Sequence, residues 1–299
     1  MKSCENPILV LSGRAFSARE VEQTEETVRV FSKLGRFELA QTLCEHLSWV
    51  NAQGHYKVHS CLKALRKLEQ LGRIQLPAVR TPRVEKQEPH GWSEQTDPGR
   101  PVVGSVEEFE PVELEAVAGR GPVELWNQYV ERYHYLGYQR PFGAHQRYLI
   151  ISRKEEPLGL GCLLFAASAW AVAVRDAWIG WSVPVRAQRL NWVVNNSRFL
   201  IFPWVRIANL ASRALGLAAR RLGPDWQRRY GYRPVLLETF VDPERYRGTC
   251  YQAANWIRLG ETAGRGRMDR HKRYGSTRKI IYVYPLRADF RSLLKRRCR

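Results

Sequence analysis

Residues Leu236–Arg267, LLETFVDPERYRGTCYQAANWIRLGETAGRGR, join an apolar strand, two carboxylates, a Cys-Tyr pair and an arginine hairpin within one short stretch. The run from Pro234 to Val241 reads as a buried strand. Successive side chains of a strand point to opposite faces, so Glu238, Phe240 and Asp242 are expected on one side. The ends of strands are where α/β proteins assemble their sites. Hard carboxylates in that position suit Mg²⁺, and Arg265 and Arg267 follow closely enough to hold a phosphate bound through such a metal. The plainer alternative has Asp242-Pro243 capping a turn and Glu238 paired with a buried arginine.

Working outward, the segment after this strand predicts a helix from Thr249 to Leu259 closed by Gly260, then a last strand Lys279–Tyr284. Before it, Ala211, Leu215, Ala218 and Leu222 recur at helical spacing and predict a long helix beginning at Asn209 and ended by Gly223-Pro224. Leu125–Tyr135 reads as helix, and Tyr148–Ser152, Leu158–Phe165, Trp178–Trp181 and Leu200–Phe202 as strands. His134 and Tyr135, in YHYLGY, could be an acid/base and a hydroxyl nucleophile or a stacking platform; alternatively His134 caps a helix ahead of Gly137. Arg198, in NNSR, and Asn209 could hold phosphate or read a base, or could satisfy turn backbone. Cys250 suits a core position better than a nucleophile.

The N-terminal residues up to Pro77 read as three helices and a strand. Ser17 and Glu20 form a capping-box pattern, Phe37–Ala40 opens the second helix, and Lys57–Leu71 makes the third, stopped by Gly72. A short strand following Gly72, in the segment up to Pro77, would complete a winged helix-turn-helix, with Lys57 and Lys63 reaching DNA. Cys44, His46, His59 and Cys61 sit as pairs one residue apart on predicted helices, so they diverge and argue against structural zinc. From Ala78 to Gly119 the chain turns acidic, with nine acids against four bases between Pro82 and Arg120, and reads as a linker. The expected organisation is α+β: residues 1–77 the winged unit, 78–119 the linker, and 120–299 a mixed α/β domain.

Of 299 residues 44% are hydrophobic, enough to bury a substantial core. No long apolar run or secretory signal is found, and the six scattered cysteines suit free thiols in a reducing compartment, so the expected location is cytoplasmic, with no membrane partner. The net charge of +19 is concentrated late, where thirteen Lys/Arg face two acids between Arg265 and Arg299. Together with ten Trp and thirteen Tyr this points to nucleic acid, the basic tail contributing Arg265, Arg267, Arg270, Lys272 and Arg273. There is no P-loop, nucleophile elbow or dinucleotide fingerprint.

HYLGY (134–138), WIGW (178–181), NNSRFLI (195–201), PWVRIANLAS (203–212), the C-terminal stretch quoted first and LCEHLSW…SCLKALRKLEQLGRIQLP (43–77) together resemble the DruA family, named for the Druantia anti-phage defence system. The resemblance implies a bacterial protein acting on DNA in defence or in a mobile element. Three activities remain open: metal-dependent cleavage or joining of strands, as in a transposase or nuclease; a non-catalytic DNA-binding module that partners a helicase or other operon protein, as a monomer or an oligomer; and acyl transfer. The C-terminal order of strand, long helix, strand, shorter helix and strand looks like a GNAT acetyltransferase core. Val205–Asn209 offers no glycine-rich turn for a pyrophosphate, which argues against acetyl-CoA.

Overall fold

The computed structural model describes residues 9–78, 92–262 and 277–296. The hairpin β1 (Leu9–Leu11) and β2 (Arg14–Phe16) precedes helices α1 (Ala18–Val30), α2 (Arg36–His46) and α3 (Val58–Gln70). The capping box at α1 is formed, with Glu20 N–H donating to Ser17 Oγ at 3.3 Å and Ser17 N–H donating to Glu20 Oε2 at 3.0 Å. α3 buries Cys61, Ala64, Leu65 and Leu68 on one stripe and ends before Gly72 at φ 69°. The three helices are therefore as expected, but the wing is not. Ile74–Leu76 is not a strand, because its polar groups go to helices: Leu76 N–H donates to Glu69 Oε1 at 2.8 Å and Pro77 O accepts from Arg36 Nε at 2.7 Å. Among the described residues this unit's hairpin lies ahead of α1 rather than after α3. It shares a hydrophobic core with the rest, Phe31 meeting Tyr232 at 5.0 Å and Trp192 at 5.4 Å.

The acidic segment is not a linker throughout. Its described part forms β3 (Val102–Ser105) and β4 (Val112–Ala116). In β4 Val112 and Leu114 are buried while Glu113 and Glu115 are exposed, so these acids are the wet face of a strand at a sheet edge. There follow α4 (Arg120–Tyr133), β5 (His145–Ser152), β6 (Leu158–Ala167), α5 (Ala173–Ile179), α6 (Val183–Arg189), β7 (Val193–Ile201), β8 (Val205–Ala208), α7 (Leu210–Tyr230), β9 (Leu236–Val241), α8 (Thr249–Ala253), β10 (Ile257–Glu261), β11 (Ile280–Pro285) and α9 (Phe290–Lys295). A seven-stranded sheet runs β10-β11-β9-β7-β6-β5-β4, antiparallel except where β7 meets β9. β3 and β8 form a separate parallel pair.

The predicted order of strand, long helix, strand and short helix is present as β7, α7, β9 and α8. Three boundaries differ. α7 continues through Gly223-Pro224 because Asp225, Trp226 and Tyr230 prolong its buried stripe, and that packing outweighs a proline cost of about 3 kcal/mol. Trp178 belongs to α5, which ends at left-handed Gly180, not to a strand. α8 stops at Ala253, where Asn255 at φ 62° turns the chain and Ile257–Glu261 pairs with β11 instead. The main core lies on the sheet face covered by α4 and α7. A smaller cluster of Ile179, Val193, Leu236, Ile281, Phe290 and Leu294 lies beneath α5 and α9.

Candidate functional site

The three-pair parallel ladder of β7 and β9, Val193↔Leu236, Val194↔Leu237 and Asn195↔Glu238, is where the site begins. Beyond it the strands part. On its other edge β7 carries a bulge: Phe165 of β6 pairs with Asn196 and Leu164 with Arg198, leaving Ser197 extra. The gap between the strands opens into a cavity of about 360 Å³, walled by the end of α4, by β7 and β9, and by α8.

Its floor is a buried polar network. Tyr251 Oη donates to Asn196 Oδ1 at 2.8 Å, Thr239 Oγ1 to Asn196 O at 3.0 Å, and Asn196 Nδ2 to Leu164 O at 3.2 Å, so one asparagine ties the parted strands to α8 and to the bulge. Burial raises the Tyr251 hydroxyl pKa, keeping it a donor. The turn into α8 needs glycine: Gly248 stands at φ 72°, and a Cβ there would lie 2.6 Å from the Tyr282 hydroxyl.

The cavity wall carries the rings of His134, Tyr135 and Tyr246 and the Arg247 side chain, with Arg245 and Arg198 beside Tyr135. The Tyr135 ring stacks on His134 at 4.9 Å, meets Tyr246 at 5.5 Å and lies 5.2 Å from the Arg245 guanidinium. Burial first, then the neighbouring Asp242 and Tyr246, raise the Tyr135 hydroxyl pKa, against the opposing pull of Arg198 and Arg245. Tyr135 is thus a neutral phenol near neutral pH. Burial, reinforced by Arg198 and Lys279, lowers His134 to about 4. Its Nδ1 accepts Leu136 N–H at 3.2 Å, which leaves the proton of the neutral ring on Nε2. Arg198 is oriented by donating Nε to Gly137 O at 3.0 Å and Nη1 to Ser197 O at 2.8 Å.

The structure brings together four of the predicted residues, His134, Tyr135, Arg198 and Asp242, and separates Glu238 from them. Glu238 is fully buried: Oε1 accepts Ala169 N–H at 2.9 Å and Oε2 accepts Arg175 Nη1 at 2.7 Å. Arg175, also fully buried, donates further to Asp176 Oδ1 at 2.8 Å and to Ala169 O at 2.9 Å. Asp242 lies just past the end of β9 and lines the cleft, whereas Glu238 faces Arg175, and four residues of strand span about 13 Å, too far for one ion to bridge. The paired-carboxylate Mg²⁺ centre is therefore not formed, and Arg175 would repel a cation at Glu238. Among the described residues no group of three or more His, Cys, Asp or Glu is placed to hold a metal. Asp242 instead caps its turn, accepting Glu244 N–H at 3.2 Å.

Cys250 is half-buried, and burial raises its thiol pKa, so it is no thiolate; Cys44, Cys61 and Cys162 are likewise free thiols. Lys57, just ahead of α3, and Lys63 on α3 are exposed, and Asn209 starts α7 at φ 63° without a side-chain cap bond. Arg265, Arg267, Arg270, Lys272 and Arg273 lie outside the described residues. Between β7 and α7, where an acetyl-CoA site would want glycine, strand β8 pairs with β3. Asn196 belongs to the NNSR group that the sequence singled out, whereas Thr239, Arg245 and Tyr246 are functional candidates that the strand pattern did not; for Arg245 and Tyr246 the ring-arginine repeat in ERYR (244–247) was the available signal.

No curated protein matches the chain significantly. Among solved structures it is similar to spermidine N-acetyltransferase from Vibrio cholerae in complex with CoA and spermine, at 10% identity and a TM-score of 0.38, over 58% of this chain and 95% of that one. It is also similar to spermidine/spermine N-acetyltransferase from Vibrio cholerae in complex with manganese ions, at 10% identity and a TM-score of 0.36, over 58% and 92%. The sequence profile described as Druantia protein DruA matches residues 63–279, from α3 to the start of β11. The chain belongs to the DruA family.

Proposed function

We propose that the chain is a DNA-binding component of an anti-phage defence system, and that the β7–β9 cleft takes an unpaired base beside a backbone phosphate. Family membership suggests the defence role. The observation that carries the binding role is the Tyr135 ring in the cleft wall, stacked 4.9 Å from the His134 ring with the Arg245 guanidinium 5.2 Å from its centre, and Arg198 held nearby by its bond to Gly137 O. Aromatic faces with adjacent guanidinium groups are what single strands stack on and neutralise against. The protonation states favour gripping over attack, because Tyr135 keeps its proton and His134 Nδ1 is already engaged. α3 offers a second contact through Lys57 and Lys63, and an operon-encoded helicase is the partner to which a held strand would pass.

A mobility assay with labelled single- and double-stranded oligonucleotides, with and without Mg²⁺, tests this directly. Arg245→Glu is expected to weaken single-strand binding about tenfold and to lower the salt slope by about 1. Strand length should not change. Shortened product, or undiminished binding by Arg245→Glu, would sink the proposal.

A further inference from the structure

A second cavity, about 450 Å³ in volume, opens at the other end of the β7–β9 pair, where the two strands begin. Arg189, Arg233, Arg287 and Arg296 line it with Trp192 and Tyr232, and no Asp or Glu does. Only Arg287 has a carboxylate partner among the described residues, Asp289, reached by two bonds of 2.8 Å. Arg189 is held in place, its guanidinium 4.9 Å above the Trp192 ring and its Nε donating to Arg296 O at 3.0 Å. Three unmatched guanidinium groups around one concavity repel each other and create a well of positive potential that a polyvalent anion relieves. Their planar forks fit phosphate oxygens two at a time.

We propose that this cavity is a phosphate-binding site distinct from the cleft, filled either by a free nucleoside phosphate or by the backbone of a nucleic-acid strand. Tyr135 stands beyond the far end of the same strand pair, so the proposal does not depend on what the cleft binds. Most of the arginines here belong to connections between elements: Arg233 just before β9, Arg287 just after β11, and Arg296 just after α9. Converging from three separated parts of the chain, they are not the by-product of one basic run.

The test uses the full chain and two probes, a fluorescent nucleoside triphosphate and a fluorescent oligonucleotide without terminal phosphates. Arg233 is exposed, so Arg233→Glu leaves the core intact, and Arg233→Ala gives the same readout without reversed charge. Arg206→Glu, at an exposed position on β8, controls for the change in net charge. A loss of affinity with either probe that exceeds that of Arg206→Glu by fivefold or more supports the site, and the probe affected names the source of the phosphate. A smaller difference with both probes overturns it.

Discussion

Arg175→Met is expected to destabilise the fold by about 3–5 kcal/mol, because it strands the Glu238 carboxylate in a fully buried position. A domain's whole stability is about 5–15 kcal/mol, so a large fraction of the protein would be unfolded or marginal. Urea denaturation followed by tryptophan fluorescence measures the change. The double variant Arg175→Met, Glu238→Leu removes both charges and should regain most of the loss, as buried pairs replaced by apolar groups commonly do. Glu238→Gln keeps the acceptor for Ala169 N–H and should leave oligonucleotide affinity within twofold in the folded fraction. An unchanged urea midpoint in Arg175→Met would show that the ion pair does not clamp α5 to the sheet.

The second large effect is loss of stability in mild acid. His46, His134 and His145 are each lowered to about 4 from an ordinary value of 6.5. Burial dominates in all three. At His145 the surrounding Arg147, Arg229 and Arg140 add to it, while the Nδ1 bond to Gly143 O opposes it. Glu38, 3.8 Å from His145 Nδ1, would favour the charged ring, but desolvation and the three arginines outweigh one partly exposed carboxylate. The sign follows from linkage. With the folded value below the unfolded one, the unfolded chain binds more protons as the pH falls through 6.5, so stability declines from there until the folded rings titrate near 4. His46 and His145 each contribute on the order of 2 kcal/mol, and half-buried His134 less, so unfolding midpoints should drop steeply between pH 6.5 and 4. His145→Gln should flatten that slope. A midpoint constant across this range would show that the imidazoles are not held neutral by burial.

Much of the fold was legible because local chemistry agrees with packing. Ser17 and Glu20 announce α1, the Cys61–Leu68 stripe gives α3, and the apolar runs in β5, β6 and β9 have no other good home. Where tertiary packing overrides local preference, the sequence misleads. Gly223-Pro224 looks like a helix stop until Trp226 and Tyr230 are seen buried beyond it. The acids of β4 look like a linker until alternate positions are seen covering an edge strand. The site was half legible. His134, Tyr135, Arg198 and Asp242 were singled out by residue type, yet the contact that makes them a cleft depends on two strands parting after Asn195 and Glu238, which no pattern in either strand states. Glu238 was legible only as far as its need for a partner: the alternative of a buried arginine is what the structure holds, but that arginine, Arg175, lies 63 residues away in a helix of which only the end, from Trp178, carried a pattern, and that pattern read as a strand.

Titration of a labelled single-stranded oligonucleotide against the wild type, Tyr135→Phe and Tyr135→Ala decides whether the cleft grips a base. Stacking uses the ring and not the hydroxyl, so Tyr135→Phe should bind within twofold of the wild type. Tyr135→Ala should lose about tenfold or more, corresponding to the roughly 1–3 kcal/mol that one stacked base contributes. Equal affinity of Tyr135→Ala and the wild type would contradict a stacking role for this cleft.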